Sequence, residues 1–284
     1  CRLGCKVTVL EAFDPLGKDD PKHTSIVLEK LKSEGIQVLS RISITNVTRS
    51  KKSIQITLEE NGKVRQIDGT HLLVAAGRRA NVAGLNLEAA GIDYTKRGIT
   101  VDKGLRTSNR KIYAIGDVAG GMQFTHVAGY HAGLVVKNIL FRLPINAKTD
   151  HVPWVTYTDP ELAHVGLSPA MAKEKNVDHK VLKWSFAEND RARAERATYG
   201  LITVVIQKNG KILGATITAP NAGELIQPWA LAISSGLKIK AMIDQIVAYP
   251  TWGEVSRRVA ITNYAQFPAS AMVRRVISWL KVFG

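Results

Sequence analysis

Residues 111–117 have the sequence Lys-Ile-Tyr-Ala-Ile-Gly-Asp, and this stretch decides the predicted fold. Its apolar run predicts a buried β-strand that ends at Gly116 and delivers Asp117 at its carboxyl end. In an open α/β sheet, ligands bind beyond the carboxyl ends of the strands, where a carboxylate can accept hydrogen bonds from polyol hydroxyls. The alternative is that Asp117 caps the helix that follows.

The segment after this strand is predicted to be a loop that enters a helix. Residues 120–129 have the sequence Gly-Gly-Met-Gln-Phe-Thr-His-Val-Ala-Gly, and the helix is predicted from about residue 127 to 141. Ala128, Ala132 and Gly133 lie on one face and allow another backbone to approach closely. The first N–H groups of such a helix have no intrahelical partner, so they can meet an electron-rich ring edge.

Upstream, the pattern predicts a parallel α/β unit with a β-hairpin insert. A strand is predicted at residues 7–10 and a helix from about 24 to 33. Alternating segments follow, with a hairpin turn at residues 61–62, Asn-Gly. A buried strand at 71–76 is predicted to lead to Gly77.

Glu11 follows the first of these strands. An acidic residue at the end of the second strand of a nucleotide-binding βαβ unit hydrogen-bonds the ribose hydroxyls of the nucleotide. The glycine fingerprint of such a unit lies about 20 residues upstream, which is before Cys1. Taken alone, Glu11 is also consistent with a solvated carboxylate at a strand end. The motifs elsewhere in the sequence must decide between this role and ribose binding.

The third block predicts an α+β domain with an antiparallel sheet. A stretch rich in Pro, Trp and Tyr at residues 152–160 marks its boundary. Asn209-Gly210 predicts a hairpin between two of its strands. The predicted strands are 180–186, 201–207 and 212–219, and the predicted helices are about 168–175, 222–235, 240–245 and 253–260.

Charge and cysteine content narrow the function classes. The 284 residues carry 39 Lys+Arg against 24 Asp+Glu, a net charge of +15, which raises the question of a nucleic-acid or anionic membrane partner. No nucleic-acid motif accompanies that charge, so no nucleic-acid partner is predicted. The only cysteines, Cys1 and Cys5, cannot form a disulfide framework, which favours the cytoplasm. They also make a poor metal site, and no metal site is predicted.

Four stretches resemble the FAD-dependent pyridine nucleotide-disulfide oxidoreductases, the group of dihydrolipoamide dehydrogenase, glutathione reductase and mercuric reductase. They occur in the family's order and spacing, and the resemblance, which is to the mercuric-reductase-like branch, covers essentially the whole chain. The stretches are Leu-Val-Ala-Ala-Gly-Arg-Arg-Ala-Asn at 73–81, residues 107–117, Tyr-Thr-Asp-Pro-Glu-Leu-Ala-His-Val-Gly at 157–166, and Ala-Pro-Asn-Ala-Gly-Glu-Leu-Ile-Gln at 219–227.

The resemblance implies an α/β fold made of partial Rossmann-like NAD and FAD domains followed by an α+β dimer-interface domain. The sequence would start partway through the NAD(P) domain and lack the family's N-terminal half, so the chain alone is expected to be inactive. The implied domains are 1–83 (partial NAD(P)-binding), 84–150 (C-terminal part of the FAD-binding domain), 151–265 (dimerisation) and 266–284 (a basic amphipathic tail).

The resemblance also implies cofactor-binding residues for FAD and NAD(H). Asp117 would contact the flavin ribitol, and the start of the following helix would face the isoalloxazine. Glu11 would accept hydrogen bonds from a free ribose 2′-hydroxyl and repel a 2′-phosphate, which predicts NADH over NADPH. The flavin positions are Asp117, Gln123, Phe124, Thr125, His126 and Ala128, and the nicotinamide-nucleotide positions are Glu11, Val47 and Gly77.

The chain departs from the disulfide reductases of this family at Tyr249. Those enzymes place a His there as the acid-base partner of a cysteine pair, and a Glu where Glu254 stands to orient it. A phenol has a reference pKa of about 10, so it cannot replace imidazole as a proton shuttle near neutrality. Mercuric reductases have a Tyr in this region that helps bind the metal ion, but the vicinal cysteines that end those enzymes are absent here. Tyr249 and Glu254 are the candidate catalytic residues.

The implied function is hydride transfer from NADH to FAD, then to a cysteine pair absent from this chain, and on to a thiol-linked or metal-ion acceptor. Dihydrolipoamide dehydrogenase is the alternative enzyme, and a non-catalytic dimerisation or binding module is the alternative of another class. A homodimer through residues 151–265 is expected. After Glu254 the chain has no acidic residue, and the alternating tail from Ala271 fits a partner subunit or a membrane surface.

Overall fold

The computed structural model describes residues 1–51, 53–265 and 270–281. The described residues form two compact units. One contains the described parts of Cys1–His71 and Asp150–Gly284, and the other is Leu72–Thr149. The expected tail, 266–284, is described only over 270–281, and the remainder lies outside the described residues.

Helices and strands alternate along the chain in the mixed α/β pattern that the sequence predicts. The strands are β1 Thr8–Leu10, β2 Gln37–Leu39, β3 Ser43–Arg49, β4 Ile54–Glu60, β5 Lys63–Gly69, β6 Tyr94–Thr95, β7 Gly98–Ile99, β8 Trp154–Thr156, β9 Glu161–Gly166, β10 Lys180–Ser185, β11 Leu201–Ile206 and β12 Ile212–Ala219. The α-helices are α1 Pro21–Ser33, α2 Thr125–Phe141, α3 Pro169–Glu174, α4 Asp190–Ala194, α5 Ala222–Leu225, α6 Gln227–Ser234, α7 Ile239–Asp244, α8 Glu254–Ile261 and α9 Ala271–Leu280.

A five-stranded antiparallel sheet organises the first unit, in the order β10-β11-β12-β9-β8. Asn209-Gly210 turns the chain between β11 and β12, and the Gly210 N–H donates to the Gln207 carbonyl at 2.9 Å. Trp229 from α6 and Phe186 are fully buried in the sheet's core, together with Ile202, Ile217 and Val255. The predicted antiparallel α+β domain is therefore confirmed, although the sequence pattern missed β8 and β9.

The same unit holds a short parallel pair and a separate three-stranded sheet. β1 pairs with β2 in parallel, with α1 between them in the chain. Asp20 caps α1 by accepting from the Lys22 N–H, and Pro21 occupies the first turn, where no N–H partner is needed. β3, β4 and β5 form an antiparallel sheet whose second turn is the predicted Asn61-Gly62, with both residues at positive φ.

Helix α1 is joined to the five-stranded sheet by a buried histidine. His23 is fully buried, and its two ring nitrogens each lie 2.8 Å from a threonine hydroxyl, Thr218 on β12 and Thr203 on β11. The pKa of His23 is lowered to about 4, chiefly by burial; Asp20 opposes the shift, and His164 and Lys183 add to it. The neutral ring therefore satisfies both hydroxyls, one as donor and one as acceptor.

The second unit has a small core of its own, formed by Leu87, Ile92, Ile99 and Ala114. β6 and β7, each two residues long, pair as an antiparallel hairpin. A 3-10 helix at Gly116–Ala119 follows Ile115. Helix α2 begins at Thr125, two residues before the predicted start, and ends at Phe141 as predicted.

Two predicted buried strands are wrong. Residues 71–76, all described, form no strand and are exposed, with Leu73 88 % and Val74 76 % accessible. Residues 111–115 make only one isolated bridge, Arg106 to Tyr113, although Ala114 is buried. An apolar run forms a strand only where a neighbour accepts its backbone hydrogen bonds, and within the described residues neither run has a ladder partner.

Candidate functional site

Gly116 and Asp117 form a turn that packs directly against α2. Gly116 has φ +65°, and a Cβ built there would lie 2.9 Å from the Cβ of Ala128. The Gly116 N–H donates to Nδ1 of His131 at 3.2 Å. Because Ala128 and His131 of α2 both hold this turn, the backbone at Asp117 is fixed. The Asp117 side chain is exposed.

A second close approach supports the same turn from the side of β7. A Cβ at Gly98 would lie 2.6 Å from the Val118 carbonyl oxygen and 2.7 Å from the Gly120 nitrogen. Backbone therefore meets backbone there with no space for a side chain. The two contacts hold the 3-10 helix that carries Asp117 between β7 and α2.

The start of α2 lies at the end of the same loop. The Phe124 carbonyl accepts from the Val127 N–H at 3.0 Å and the Ala128 N–H at 3.1 Å, which begins the helix. The Phe124 and His126 rings stack with centroids 5.1 Å apart and planes 10° apart. Upstream, the Gln123 carbonyl accepts from Nη1 of Arg78 at 3.0 Å. This helix start combines N–H dipoles with exposed side chains at Thr125 and His126.

His131 is a residue of this region that the sequence reasoning missed. It is buried, and burial lowers its pKa, so the ring is neutral at neutral pH. Since Nδ1 accepts the Gly116 N–H, the ring proton resides on Nε2. His131 lies one turn after Ala128 on the same face of α2, and that helical spacing is the signal that could have found it.

Glu11 lies where the sequence places it, at the carboxyl end of β1. Its N–H donates to the Leu39 carbonyl at 2.9 Å, so the ends of β1 and β2 are adjacent. The side-chain oxygen Oε1 accepts from the Phe13 N–H at 2.9 Å. A carboxylate has about four acceptor positions, so this single bond leaves capacity for a ribose diol.

An arginine that the sequence reasoning missed reaches the same turn. The Arg41 N–H donates to the Phe13 carbonyl at 3.3 Å. Its guanidinium pairs with Asp14 through Nε to Oδ1 at 2.8 Å, and this contact lowers the pKa of the Asp14 carboxyl. The cation next to the Glu11 turn is therefore already neutralised by a partner.

The other two predicted nucleotide positions lie in different units. Val47 lies on β3, opposite Ile56 of β4, with its side chain about half exposed. Gly77 belongs to the second unit, has φ +96°, and has open space where a Cβ would be.

Tyr249 has a partner that the sequence did not suggest. It is 67 % exposed, and its hydroxyl donates to Oδ2 of Asp190 at 3.0 Å. This hydrogen bond raises the pKa of Tyr249, because losing the proton would set a phenolate beside a carboxylate. Asp190 begins helix α4, and Asn189 is the cap of that helix.

Glu254 begins α8 and is mostly buried, with its side chain 15 % exposed. It forms an i,i+4 ion pair with Arg258 at 3.8 Å. Its negative charge contributes to the raised pKa of Tyr249, so the two candidate catalytic residues lie in one electrostatic neighbourhood. The hydrogen bond of Tyr249, however, goes to Asp190.

The two cysteines, Cys1 and Cys5, precede β1 in the first unit. Cys1 Sγ donates to the Glu34 carbonyl at 2.9 Å, Cys5 is exposed, and both are free thiols. Among residues 1–51, 53–265 and 270–281, no three His, Cys, Asp or Glu side chains are grouped so as to hold a metal ion. Over the same ranges, no helix has the length and apolar character needed to cross a membrane.

Together, the parallel β1-β2 pair, the turn against α2 and the antiparallel unit define a nucleotide-binding α/β protein with an added α+β domain. Residues 1–132 match the pyridine nucleotide-disulphide oxidoreductase family, and residues 152–260 match the dimerisation domain of those oxidoreductases. The chain belongs to the pyridine nucleotide-disulphide oxidoreductase family.

Curated relatives include two kinds of oxidoreductase. Over 263 residues the chain is 35 % identical to mercuric reductase of Staphylococcus aureus, an alignment that covers 92 % of this chain and 48 % of the relative. Over 261 residues it is 36 % identical to dihydrolipoyl dehydrogenase of Geobacillus stearothermophilus, covering 91 % and 55 %. The chain thus spans about half the length of these relatives.

Solved structures show the same fold. LpdA from Mycobacterium tuberculosis superposes with a TM-score of 0.86 at 25 % identity, covering 93 % of this chain and 57 % of the other. The Cu(II) complex of the HOCl-induced flavoprotein disulfide reductase RclA from Escherichia coli gives 0.83 at 27 % identity, covering 91 % and 59 %. The predicted fold class is confirmed.

Members of this family bind FAD and NAD(P)H. The exposed Asp117 carboxylate and the helix start that follows it offer acceptors for hydroxyls and donors for a ring edge, so their chemistry is compatible with a flavin. On the nucleotide side, the Glu11 carboxylate offers acceptors of the kind that a ribose diol needs.

Proposed function

We propose that this chain is part of a flavoprotein that passes a hydride from NADH to FAD, and then electrons to a cysteine pair and a thiol-linked or metal-ion acceptor. The observation that carries the proposal is the Asp117 turn, clamped between β7 and α2 beside an exposed helix start. Bound FAD would supply a two-electron acceptor that also passes electrons onward. We do not assign Cys1 and Cys5 as the cysteine pair, since by the family resemblance they fall in the turn that precedes β1, after the nucleotide-binding helix.

In this proposal the residues of the second unit bind and orient the flavin. The Asp117 carboxylate would accept hydrogen bonds from the ribitol hydroxyls, and its fixed backbone would set their position. Gln123, Phe124, Thr125 and His126 would line the isoalloxazine, and the first N–H groups of α2 would act as donors to its ring edge. Ala128 is small enough for the Gly116 turn to lie against it, and neutral His131 holds that turn through the Gly116 N–H.

The nucleotide is NADH in this proposal. Glu11 accepts hydrogen bonds from the free 2′-hydroxyl, and its negative charge repels a 2′-phosphate. Arg41, the nearby cation that would otherwise attract that phosphate, is paired with Asp14. Val47 and Gly77 complete the nucleotide positions.

Tyr249 and Glu254 would act from the dimerisation domain of one subunit on the active site of the other, in a homodimer formed through residues 151–265. The match of residues 152–260 to the family's dimerisation domain supports this arrangement. Because its pKa is raised, the Tyr249 phenol holds its proton at neutral pH, and since it donates that proton in a hydrogen bond to Asp190, its oxygen orients the acceptor through its lone pairs. This favours a mercuric-reductase-like acceptor over lipoamide, and the cytoplasm is the proposed location.

The test uses the protein purified from its native gene. NADH added without oxygen is expected to bleach the visible flavin absorbance, and reoxidation is compared among Hg(II), lipoamide and glutathione disulfide. Asp117→Asn is expected to lower the bound flavin, whereas Asp93→Asn, a matched change at an exposed position of the same unit, leaves it unchanged. A colourless protein that does not oxidise NADH would instead support the non-catalytic dimerisation module.

A further inference from the structure

Helix α9, Ala271–Leu280, presents a largely exposed apolar face. Its apolar side chains fall on one side of a helical projection, and none of its ten residues is buried within the described residues. Met272 is 76 % exposed, Val276 47 % and Leu280 52 %. Ser270 caps the helix by accepting from the Val273 N–H at 3.3 Å, so the helix has a defined start.

The opposite face of α9 is cationic. Arg274, Arg275 and Lys281 fall together on that face, on either side of Ser278. Residues 255–284 contain no Asp or Glu, so no carboxylate within this stretch neutralises them. The helix therefore separates an apolar stripe from a purely positive one.

The length of α9 decides how it can meet a lipid surface. Ten residues of α-helix span about 15 Å, half the hydrocarbon thickness of about 30 Å. Such a helix cannot cross a bilayer. A helix with a basic polar face and Trp, Leu or Phe on the other lies in the plane of the membrane interface.

We propose that α9 binds the surface of a membrane rich in anionic lipids, with Met272, Val276 and Leu280 among the acyl chains and the arginines at the headgroups. The charge of α9 favours this occupant, because anionic headgroups are complementary to a helix face that carries Arg274, Arg275 and Lys281 and has no carboxylate within residues 255–284. The family's dimerisation domain matches residues 152–260 and ends before α9.

The test mixes the purified chain with vesicles of phosphatidylcholine alone or with three-tenths phosphatidylglycerol, followed by sedimentation. The expected result is binding to the anionic vesicles and little to the neutral ones. Each Lys or Arg near such a surface strengthens binding about fivefold, so R274Q/R275Q should weaken it about 25-fold. The matched control K173Q/K175Q removes the same two charges from another exposed site and should bind normally.

The apolar face is tested separately with V276S/L280S, which should abolish vesicle binding. Because no residue of α9 is buried in the described structure, the variant should keep the unfolding temperature and circular dichroism of the parent. A blue shift of tryptophan fluorescence on vesicle binding should disappear in W279F, which assigns it to α9.

Three outcomes would overturn the proposal. The first is no sedimentation with anionic vesicles. The second is equal loss of binding in K173Q/K175Q and R274Q/R275Q, which would make binding a property of total charge. The third is dissociation of a dimer by V276S/L280S in sedimentation equilibrium, which would assign the apolar face to a second copy of the chain.

Discussion

The Tyr249 hydroxyl donates a hydrogen bond to Oδ2 of Asp190 at 3.0 Å, although the two residues are 59 positions apart in the chain. Asn189 fixes this arrangement from both sides. Its side-chain amide donates to the Thr251 carbonyl at 3.1 Å, and its Oδ1 accepts from the Ala192 N–H at 2.9 Å. The segment carrying Tyr249 and the start of α4 are therefore held together by one buried asparagine.

Removing the Asp190 charge should lower the pKa of Tyr249. The Asp190 carboxylate raises that pKa because it accepts a hydrogen bond from the protonated phenol and because its negative charge disfavours a phenolate beside it. In Asp190→Asn both effects are lost, so one tyrosine should ionise at lower pH in an ultraviolet difference titration. Tyr249→Phe should delete that ionisation, and Asp244→Asn, which alters the carboxylate paired with Lys240, should leave it in place. An unchanged titration in Asp190→Asn would contradict the prediction.

The phenol at position 249 should also affect the rate of turnover and its pH dependence. Since Tyr249 stays protonated through neutrality, activity of the protein from its native gene should show no ionisation from this residue between about pH 6 and 9. Tyr249→Phe should reduce acceptor turnover about tenfold or more and leave NADH-dependent flavin reduction intact. Tyr264→Phe serves as the control, and equal loss of both half-reactions in Tyr249→Phe would refute the separation of roles.

The local signals in the sequence predicted local structure well. Asn61-Gly62 and Asn209-Gly210 turn hairpins as predicted, because each acts through its own backbone and its neighbours. Helix α1 begins at Pro21, three residues before the predicted start, because Asp20 caps it and Pro21 fits its first turn. The sequence predicted that a backbone would approach the small face of α2, and the Gly116 turn lies against Ala128 there; the identity of that partner was not predicted.

Features that depend on distant partners were not predictable. The apolar run 71–76 has the composition of a buried strand, but whether it forms one depends on neighbouring strands that its own residues do not specify. The contact of His23 with Thr218 joins positions 195 apart, and Asp190 meets Tyr249 only after α4 folds. No periodicity within either segment contains that information.

Stability of the first unit should fall with acid because of His23. Its folded pKa of about 4 lies below the ordinary histidine value of 6.5, so the unfolded chain binds more protons between these values. The stabilisation is present above pH 6.5 and is lost as pH falls towards 4. From pH 7 to 5 His23 alone should remove about 2 kcal/mol of unfolding free energy.

Urea unfolding at the two pH values measures this loss. His23→Gln keeps a polar group but cannot titrate, so its decrease between pH 7 and 5 should be smaller by about that amount. His164, whose pKa is also lowered by burial, remains to account for the residual decrease. The control is His71→Gln at an exposed site, and identical pH slopes in His23→Gln and the parent would exclude the assignment.

Gly116→Ala should destabilise the second unit. The new methyl group would lie 2.9 Å from the Ala128 Cβ, and alanine at φ +65° is strained by about 1–2 kcal/mol. The expected loss of unfolding free energy is about 2 kcal/mol, with flavin content reduced as well. Adding Ala128→Gly should relieve the contact but not the backbone strain. Gly129→Ala, where a Cβ has nothing within 4 Å, should be neutral or stabilising, and a Gly116→Ala protein as stable as the parent would contradict the prediction.

Freeing Arg41 from Asp14 should shift nucleotide preference towards NADPH. In Asp14→Asn the guanidinium keeps its backbone anchor on the Phe13 carbonyl but loses its charged partner, so a 2′-phosphate becomes the available anion. Glu11→Gln removes the repulsion from the same turn, and the double variant should shift the NADPH-to-NADH ratio of kcat/KM about tenfold or more, since one charge-assisted contact contributes about 1.5–3 kcal/mol. The control Asp68→Asn removes an equal charge from β5. A double variant that keeps the parent's ratio would show that Glu11 does not face the ribose and that the nucleotide is selected elsewhere.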